Sequence, residues 1–248
     1  MEPRSPSRGS RRSPEQSQKA ILDAATREFA TEGLAGARTD AIAKAAGVNK
    51  ALLYYYFHDK EQLYGAVLHH AMGDLLQQVT NILESTASPR YRVLAYAATH
   101  FNFVAAHPEY RRLLQFEMMR AGTGHSKHFA EIANLFFRPL MEKVVTVLQE
   151  GIDSGEFRAV QPHHCLQSIL ASIIFYFVSL PAIRMFMPID PLSPVALQQR
   201  RDAILDFVSG ALFVDRSSAA RIIDEVNRDV EPVSPGAALA KIKRGKKH

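Results

Sequence analysis

Apolar residues recur at intervals of three and four along almost the whole sequence after Pro14. The alternation of apolar and polar residues that is typical of half-buried strands is almost absent. A chain with this pattern can bury its apolar stripes only by packing helices against one another. The sequence therefore predicts an all-α fold, with short helices between about residues 15 and 75 and longer ones between about 76 and 215.

Caps, glycines and prolines set the predicted helix ends. The first helix covers about residues 15–32 and is stopped by Gly33, and two very short helices follow as far as Phe57. Asp59 caps the next helix, which ends near residue 84. Pro139 predicts a kink and Gly151 a stop. The later helices are predicted at about residues 90–106, 109–120, 126–150, 162–187 and 195–214, with a short one near 218–230.

The most informative segment lies between Arg38 and Phe57. Thr39 is the predicted N-cap of a two-turn helix, and Asn49 is the predicted N-cap of the next helix. Gly47 lies between them, where the chain must turn sharply and where glycine has no steric cost. Two short helices joined by a short turn form a helix-turn-helix, whose second helix enters the major groove of DNA.

Helical geometry divides the second of these helices into two faces. Leu53 and Phe57 point inwards, with Tyr56 beside them. The three consecutive tyrosines span about 200° of the helix, so a core cannot hold all of them. The outward face consists of Lys50, Ala51, Tyr54 and Tyr55.

The outward face has the chemistry of a DNA-reading surface. The small side chain of Ala51 lets the helix approach the groove floor, and Lys50 can donate to guanine or to phosphate. Tyrosine hydroxyls can contact phosphate, and tyrosine rings can contact thymine methyl groups. Thr39 and Lys60 each begin a helix, so the backbone N–H groups there are predicted to bind phosphates.

Residues from about 19 to 67 resemble the DNA-binding domain of the TetR/AcrR family of transcriptional regulators. The matching residues are Ile21, Leu22, Ala24, Ala25, Phe29, Gly33, Thr39, Ile42, Ala43, Ala46, Gly47, Val48, Leu53, Tyr54, Tyr55, Phe57, Lys60 and Leu63. The resemblance implies an N-terminal three-helix helix-turn-helix DNA-binding domain followed by an α-helical ligand-binding and dimerisation bundle. It implies DNA contacts from Thr39, Asn49, Lys50, Tyr54, Tyr55 and Lys60, to which the outward face and its flanks add Arg38, Ala51 and Leu52.

Three positions depart from the family's pattern. The family usually carries glycine or a similar small residue at Ala51, a small polar residue at Leu52 and histidine at Tyr56. Leu52 can contact a thymine methyl group, and its size leaves the operator sequence open. The family's contacts at positions 54, 55 and 60 are mostly to the DNA backbone, so they position the protein rather than specify bases.

The second half of the chain is interpreted through the same resemblance. It implies that the last two long helices pair two subunits, so that two recognition helices about 34 Å apart read a near-palindrome. It also implies a small-molecule pocket in the bundle, although each candidate pocket residue can equally be an ordinary buried residue. These candidates are His100, Phe103, Glu117, Arg120, Phe136 and Tyr176, with His128, Phe137 and Arg184 as further members.

Charge and cysteine content limit the remaining classes. The formal net charge is +5, and basic residues concentrate in residues 1–14 and in the last eight residues. Such tails can bind a polyanion, or they can simply be solvated and disordered. Cys165 is the only cysteine, which excludes an intrachain disulfide and fits a cytoplasmic location. The most apolar run, residues 169–180, is shorter than the ~20 residues of a membrane span, so no membrane partner is expected.

Signatures of catalysis and of cofactor binding are absent from the sequence. His163, His164 and Cys165 suggest a metal or thiol sensor, but adjacent helical residues point about 100° apart and do not easily chelate one ion. No nucleophile–base pair, phosphate loop or glycine-rich nucleotide fingerprint is present. The sequence therefore predicts no enzyme, no catalytic residues, no cofactor and no metal.

The resulting interpretation is a homodimeric repressor that binds a palindromic operator in double-stranded DNA and is released by an unidentified small-molecule effector. One alternative is a helical ligand-binding protein or enzyme with a vestigial DNA-binding unit, and another is an architectural DNA-binding protein without an effector. The predicted domains are a basic disordered arm (1–14), the DNA-binding domain (15–75), the effector-binding and dimerisation domain (76–215) and a charged, basic tail (216–248).

Overall fold

The computed structural model describes residues 12–124, 126–186 and 188–232. These residues are helical apart from turns, short connections and one isolated antiparallel bridge between Phe157 and Phe213. The predicted all-α class is therefore confirmed. The chain divides into two compact units, residues 1–70 and 71–248. The predicted boundary near residue 75 lies within one continuous helix, and the predicted domain limits remain predictions.

The first unit contains three helices and the beginning of a fourth. Ser13 and Gln16 form a reciprocal capping box at the start of the first helix, in which the Ser13 hydroxyl accepts from the Gln16 amide. Gly33 has a φ of 65° and breaks this helix as predicted, but helical turns resume beyond it. The helices are α1 (Pro14–Gly36), α2 (Thr39–Ala46), α3 (Lys50–Phe57) and α4 (Lys60–Leu83).

The core of the first unit is built from the apolar faces of these helices. Phe29 is fully buried, and its ring meets the ring of Tyr64 edge to face with centroids 5.0 Å apart. Leu53 and Phe57 are buried as the two-faced geometry predicts. Side chains of this size contribute about 1.5–3 kcal/mol each when buried, so the core fixes the orientation of α3.

The second unit contains longer helices and one short π-helical segment, Ala133–Phe137. α5 is its central helix, because α8, α9, α11 and α12 all pack against it. Most of its residues are buried on every side, as expected for a helix at the centre of a bundle. The helices are α5 (Pro89–Ala106), α6 (Pro108–Gly122), α7 (Phe129–Ile132), α8 (Arg138–Asp153), α9 (Pro162–Val178), α10 (Leu180–Phe186), α11 (Pro194–Leu212) and α12 (Ala219–Asp229).

Two predicted long helices are broken in the structure. The helix predicted at 162–187 is divided at Ser179, where α9 and α10 meet at an angle of 67°. The helix predicted at 126–150 consists of α7, the π-helical segment and α8, so its irregularity precedes Pro139. Periodicity predicted helical residues in both places, but a bend leaves the local apolar pattern almost unchanged.

Gly151 does not end a helix, contrary to the prediction. It lies within α8, and a β-carbon at this position would be 2.1 Å from the ring of Phe157. The chain turns back after α8, and the Phe157 amide donates to the Gly151 carbonyl at 2.8 Å. Glycine is therefore required here by close packing rather than by a left-handed backbone.

The C-terminal helix α12 is attached to the bundle through Arg201, which is 1% exposed. The guanidinium donates to the Val230 carbonyl at 3.0 Å and to the Asn227 side chain at 2.7 Å. Asn227 in turn donates to Asp202 at 3.0 Å. The first part of the predicted tail is thus packed structure, whereas residues 233–248, with their basic cluster, lie outside the described residues.

Membrane-spanning character was tested over the described ranges. None of the helices there has, by itself, the length and apolar character of a membrane span. Taken together, the bent pair α9 and α10 reaches that length and composition.

Candidate nucleic-acid interface

The turn between α2 and α3 has the geometry of a helix-turn-helix. Gly47 adopts the left-handed conformation with a φ of 67° and ends α2 as predicted. The Asn49 side chain accepts from the Leu52 amide at 2.7 Å, so its predicted role as the N-cap of α3 is confirmed. Arg12 donates to the Ala46 carbonyl at 2.7 Å, next to the turn. Residues 1–11 of the predicted basic arm lie outside the described residues.

The outward face of α3 is accessible. The Tyr55 side chain is 75% exposed, and Lys50 and Ala51 are also exposed. Leu52 and Tyr56, two of the three departures from the family pattern, are half-buried at the edges of this face. The exposed and buried sides of the helix are therefore separated as the sequence predicts. The exposed Tyr55 ring meets the ring of Tyr56 edge to face, with centroids 5.3 Å apart.

The ammonium group of Lys50 is paired within this surface. It donates to Asp40 on α2, with nitrogen–oxygen distances of 3.0 Å to the carboxylate oxygens. The hydrogen bond that Lys50 donates to Asp40 is the main cause that raises the pKa of Lys50, and the negative charge of Asp40 adds to it. The same ammonium lies 6.0 Å from the centre of the Tyr54 ring. The lysine remains charged and is held beside the exposed face.

Thr39 links the two helices of the motif. It is the first helical residue of α2 rather than its N-cap, because Arg38 occupies the cap position and makes no side-chain capping bond. The Thr39 hydroxyl is 3.1 Å from the hydroxyl of Tyr54. Arg38 is exposed, and its backbone amide donates to the carboxylate of Glu28 at 3.0 Å.

Lys60 is half-buried at the start of α4, and its ammonium group is bound within the first unit. It donates to the carbonyl oxygens of Ala35 and Ala37 at 3.2 and 3.0 Å. These carbonyls lie at the C-terminal end of α1, where a positive charge is favourable. The ammonium group is thus already bound, and the backbone N–H groups at the start of α4 are the better candidates for the predicted phosphate contact.

Sequence reasoning did not select Arg12, Glu28 or Asp40 as parts of this surface. Asp40 could have been recognised from the sequence, because an acid is favourable in the first turn of a helix. Lys50, ten residues later, begins the next helix and carries the opposite charge. Arg12 and Glu28 bind backbone groups of distant segments. Such pairs depend on tertiary approach and leave no local pattern in the sequence.

The second unit encloses a cavity of about 580 Å³. Of the predicted pocket residues, His100, Phe136 and Phe137 line it. On α6 the lining residues follow a helical stripe, from which Glu117 and Arg120 are displaced. Most of the wall is aliphatic or aromatic and includes Leu75, Leu114, Met118, Leu140, Leu170 and Ile174.

The other predicted pocket residues have different partners. Phe103 stacks on His107 with centroids 4.2 Å apart, and the Tyr176 hydroxyl donates to the Pro191 carbonyl at 2.6 Å. Glu117 is buried and accepts from the Ser126 hydroxyl. Arg184 lies 3.8 Å from Asp190. Neither these four residues nor His128 contributes to the cavity wall, so composition alone did not distinguish wall residues from ordinary packing.

Large apolar side chains are exposed on α9, α10 and α11. Phe175 on α9 is 68% exposed and Phe207 on α11 is 59% exposed. Val178 adds further apolar surface at the end of α9. Apolar area of this kind is typical of a protein–protein interface.

Metal-ligating clusters were searched within the described ranges. No group of three or more histidine, cysteine, aspartate or glutamate side chains there could hold a metal ion. Cys165 is half-buried, and burial raises the pKa of its thiol.

Comparison with known families identifies both units. Residues 21–67 match the family described as bacterial regulatory proteins, tetR family, and residues 89–208 match the tetracyclin repressor-like C-terminal domain. The first match covers the helix-turn-helix described above, and the second begins at the first residue of α5 and includes most of α11.

Individual relatives agree with this match. The HTH-type transcriptional repressor SCO4008 of Streptomyces coelicolor is 34% identical over 173 residues, covering 70% of this chain and 84% of that protein. The HTH-type transcriptional regulator RutR of Escherichia coli is 30% identical, covering 64% and 72%. The crystal structure of the transcriptional regulator SCO4942 of Streptomyces coelicolor superimposes with a TM-score of 0.62 at 26% identity, covering 79% of this chain and 98% of that one. The chain belongs to the tetR family of helix-turn-helix, DNA-binding transcriptional regulators.

Proposed function

We propose that this regulator is a repressor that binds a palindromic operator as a homodimer and leaves it when a small molecule occupies the cavity of the second unit. The observation that carries the proposal is the outward face of α3, where Tyr55 is exposed while Leu53 and Phe57 hold the helix from behind. A repressing role is supported by SCO4008, the relative at 34% identity, which is itself a transcriptional repressor.

The proposed DNA contacts divide into two kinds. Lys50, Ala51 and Leu52 lie on the first turn of α3, where side chains reach base edges in a helix-turn-helix. Tyr54 and Tyr55, with the helix starts at Thr39 and Lys60, are proposed to bind phosphates. The Asn49 side chain is occupied as a cap, and exposed Arg38 is proposed to add a phosphate contact. The list of proposed contacts is Arg38, Thr39, Asn49, Lys50, Ala51, Leu52, Tyr54, Tyr55 and Lys60.

The DNA-binding part is tested by selecting bound sequences from a random duplex pool and then measuring affinity for the selected site. Lys50→Ala is expected to weaken binding about tenfold or more, because a good base or phosphate contact contributes about 1–3 kcal/mol. Lys19→Ala is the matched control, since Lys19 is an exposed lysine on α1 that pairs with Asp23. Failure to enrich any sequence, or equal losses in both variants, would contradict the proposed interface.

Dimerisation is proposed through the exposed apolar surface of α9 and α11. Phe207→Glu is expected to convert the protein to monomers in sedimentation or light scattering, because a charge would be buried against the partner. Leu135→Glu is the control, since Leu135 is also exposed and apolar but lies in the π-helical segment. Monomeric wild-type protein, or a dimer that survives Phe207→Glu, would overturn this assignment.

The proposed effector site is the cavity in the second unit. Its volume of about 580 Å³ and its apolar wall are typical of small-molecule sites in proteins. A ligand there weakens DNA binding only if it prefers the conformation that does not bind the operator. Relatives of this chain are regulators, and the proposed role of the cavity is therefore binding rather than catalysis.

A further inference from the structure

The cavity of the second unit is lined by few polar side chains, and these lie on α5 and α6. Aliphatic, aromatic and methionine side chains form most of its wall. The polar side chains at the wall belong to Tyr96, His100, Tyr110, Arg111 and Gln115. A site of this composition selects its ligand mainly by shape, and the few polar groups fix orientation and specificity.

His100 is the polar group with an unmet hydrogen bond. Its side chain is 4% exposed, and its Nδ1 atom lies 3.1 Å from the hydroxyl of Tyr96, one turn earlier on α5. The Nε2 atom is buried and has no hydrogen-bond partner. Burial lowers the pKa of His100 to about 4, so the ring is neutral at physiological pH. A buried nitrogen without a partner is unfavourable, and a bound ligand that supplies the partner removes this cost.

The pairing with Tyr96 indicates which proton His100 carries. If the Tyr96 hydroxyl donates to Nδ1, the proton of the neutral ring is on Nε2, and only that N–H lacks a partner. If Nδ1 donates instead, both the Tyr96 proton and the Nε2 lone pair lack partners. The first arrangement leaves fewer unmet hydrogen bonds in a buried site and is therefore favoured. The unmet group of His100, a residue of the cavity wall, is then a donor.

Among the described residues, the charged side chain that lines the cavity is Arg111, and its Nη1 atom is already engaged. Arg111 donates to the carbonyl oxygens of Val104 and Ala105 at 2.5 and 3.1 Å. These carbonyls lie at the C-terminal end of α5, where the helix dipole offsets a positive charge. The guanidinium also lies 5.0 Å from the centre of the Phe177 ring. A cation would therefore be desolvated against an apolar wall without a counter-charge, and an anion would meet only a guanidinium whose charge already binds two carbonyl oxygens.

Resting on the proposed role of this cavity, we propose that its ligand is an uncharged, largely apolar molecule with a hydrogen-bond acceptor, such as a ketone or ester carbonyl. The acceptor binds the Nε2–H group of His100, and Tyr96 is a positioning residue that fixes the tautomer. Anions and cations of the same length are excluded because the site gives them no partner equal to the water they lose.

The experiment uses the full-length protein and diphenylhexatriene, a fluorescent hydrocarbon without polar atoms, as the probe. Three competitors of equal chain length displace it: 2-decanone, decanoate and decylammonium. The ketone is expected to compete at least tenfold more strongly than either ion. Stronger competition by decanoate, with loss of that competition in Arg111→Gln, would overturn the proposal in favour of an anionic ligand.

The variant His100→Phe keeps an aromatic ring and removes the donor. Measured relative to the affinity of the same variant for the hydrocarbon probe, the ketone is expected to compete about three- to tenfold more weakly than in wild type, the effect of one net hydrogen bond. His100→Gln retains an N–H donor and is expected to recover part of this loss. An unchanged ketone affinity in His100→Phe, with the probe still bound, contradicts the role of His100. If that variant does not fold, the selectivity of the wild-type protein among the three competitors still decides the ligand class.

These measurements involve no DNA, so the proposal and the proposed function can fail separately. Selective ketone binding that leaves operator affinity unchanged would refute effector control while supporting the ligand class. Operator release by an ion but not by the ketone would refute the ligand class while supporting effector control.

Discussion

At the scale of single residues, the surface proposed to face DNA carries an acid, Asp40, beside the basic residue Lys50. Asp40 and Lys50 are bound to each other, and both are exposed. An exposed pair of this kind contributes little to folding stability. Its consequence is for binding, because Lys50 must exchange its bond with Asp40 for a bond with DNA.

Removing the acid is therefore expected to strengthen DNA binding. In Asp40→Asn the negative charge is lost and the Lys50 ammonium is released, so we expect three- to tenfold tighter operator binding at moderate salt and a steeper salt dependence. Gel-shift titrations at several salt concentrations measure both quantities. Asp23→Asn changes the net charge by the same amount on α1 and serves as the control. Equal gains in the two variants would show a general charge effect rather than the release of Lys50.

Lys60 illustrates a residue whose structural role is visible only in three dimensions. Its ammonium binds two carbonyl oxygens at the C-terminal end of α1. Lys60→Met keeps most of the side-chain length but loses these bonds, and we expect it to lower the free energy of unfolding by about 1 kcal/mol. Chemical denaturation without DNA measures this, with Lys19→Met as the exposed control. A stability equal to that of wild type would leave Lys60 free for the phosphate contact that the sequence suggested.

At the scale of helices and turns, the packing of Phe157 against Gly151 fixes the return of the chain after α8. Gly151→Ala places a methyl group 2.1 Å from the ring, so the ring or the helix must move. We expect a loss of about 2–3 kcal/mol in the free energy of unfolding, as for other overpacked sites. In Gly122→Ala, at the end of α6, the added carbon meets no atom within 4 Å, and stability should be equal or slightly higher. Two stable variants would contradict the close approach.

The helices themselves could be predicted from the sequence, but several of their interruptions could not. Periodicity gave α5, α6 and α11 to within a few residues, and the glycine and cap signals gave the turn at Gly47 and the cap at Asn49. The break at Ser179 was missed because apolar residues continue through it, although Pro181, two residues later, was a signal for a new helix start. The π-helical segment also keeps helical composition.

The candidate sites show the same division. The outward face of α3 can be predicted from the geometry of a single helix, and the sequence therefore placed the exposed and buried residues of α3 correctly. The cavity wall is assembled from several helices, and its members cannot be distinguished by type from other buried residues. The sequence correctly placed His100 and Phe136 in the cavity wall. It also proposed Glu117, because only the rotation of α6 about its axis shows which of its residues face the cavity.

At the scale of the whole molecule, the neutral state of His100 couples folding to pH. The ring titrates near 6.5 when unfolded and near pH 4 in the folded chain, because burial beside Tyr96 lowers its pKa. Above pH 6.5 the His100 ring is neutral in both the folded and the unfolded chain, so its titration does not affect the free energy of unfolding. As the pH falls from 6.5 towards 4, only the unfolded chain gains the proton, and folding stability declines by up to about 3 kcal/mol.

Denaturation of the wild type and of His100→Phe at several pH values measures this coupling. The difference in unfolding free energy between the two proteins should shift in favour of the variant as the pH falls through this window, since phenylalanine takes up no proton. Because the two proteins share all other histidines, the contribution of those residues cancels in this difference of unfolding free energies. A difference that stays constant from pH 7 to pH 4.5 would mean that His100 accepts its proton in the folded protein.

The contact between Gly151 and Phe157 also limits how the residues at these two positions can change during evolution. Because the ring occupies the space that a β-carbon would need, position 151 cannot gain a side chain while Phe157 stays as it is. A lineage that acquires a side chain at position 151 should therefore first accept a smaller residue at position 157. Among natural homologues, a side chain larger than hydrogen at position 151 should occur together with a residue smaller than phenylalanine at position 157.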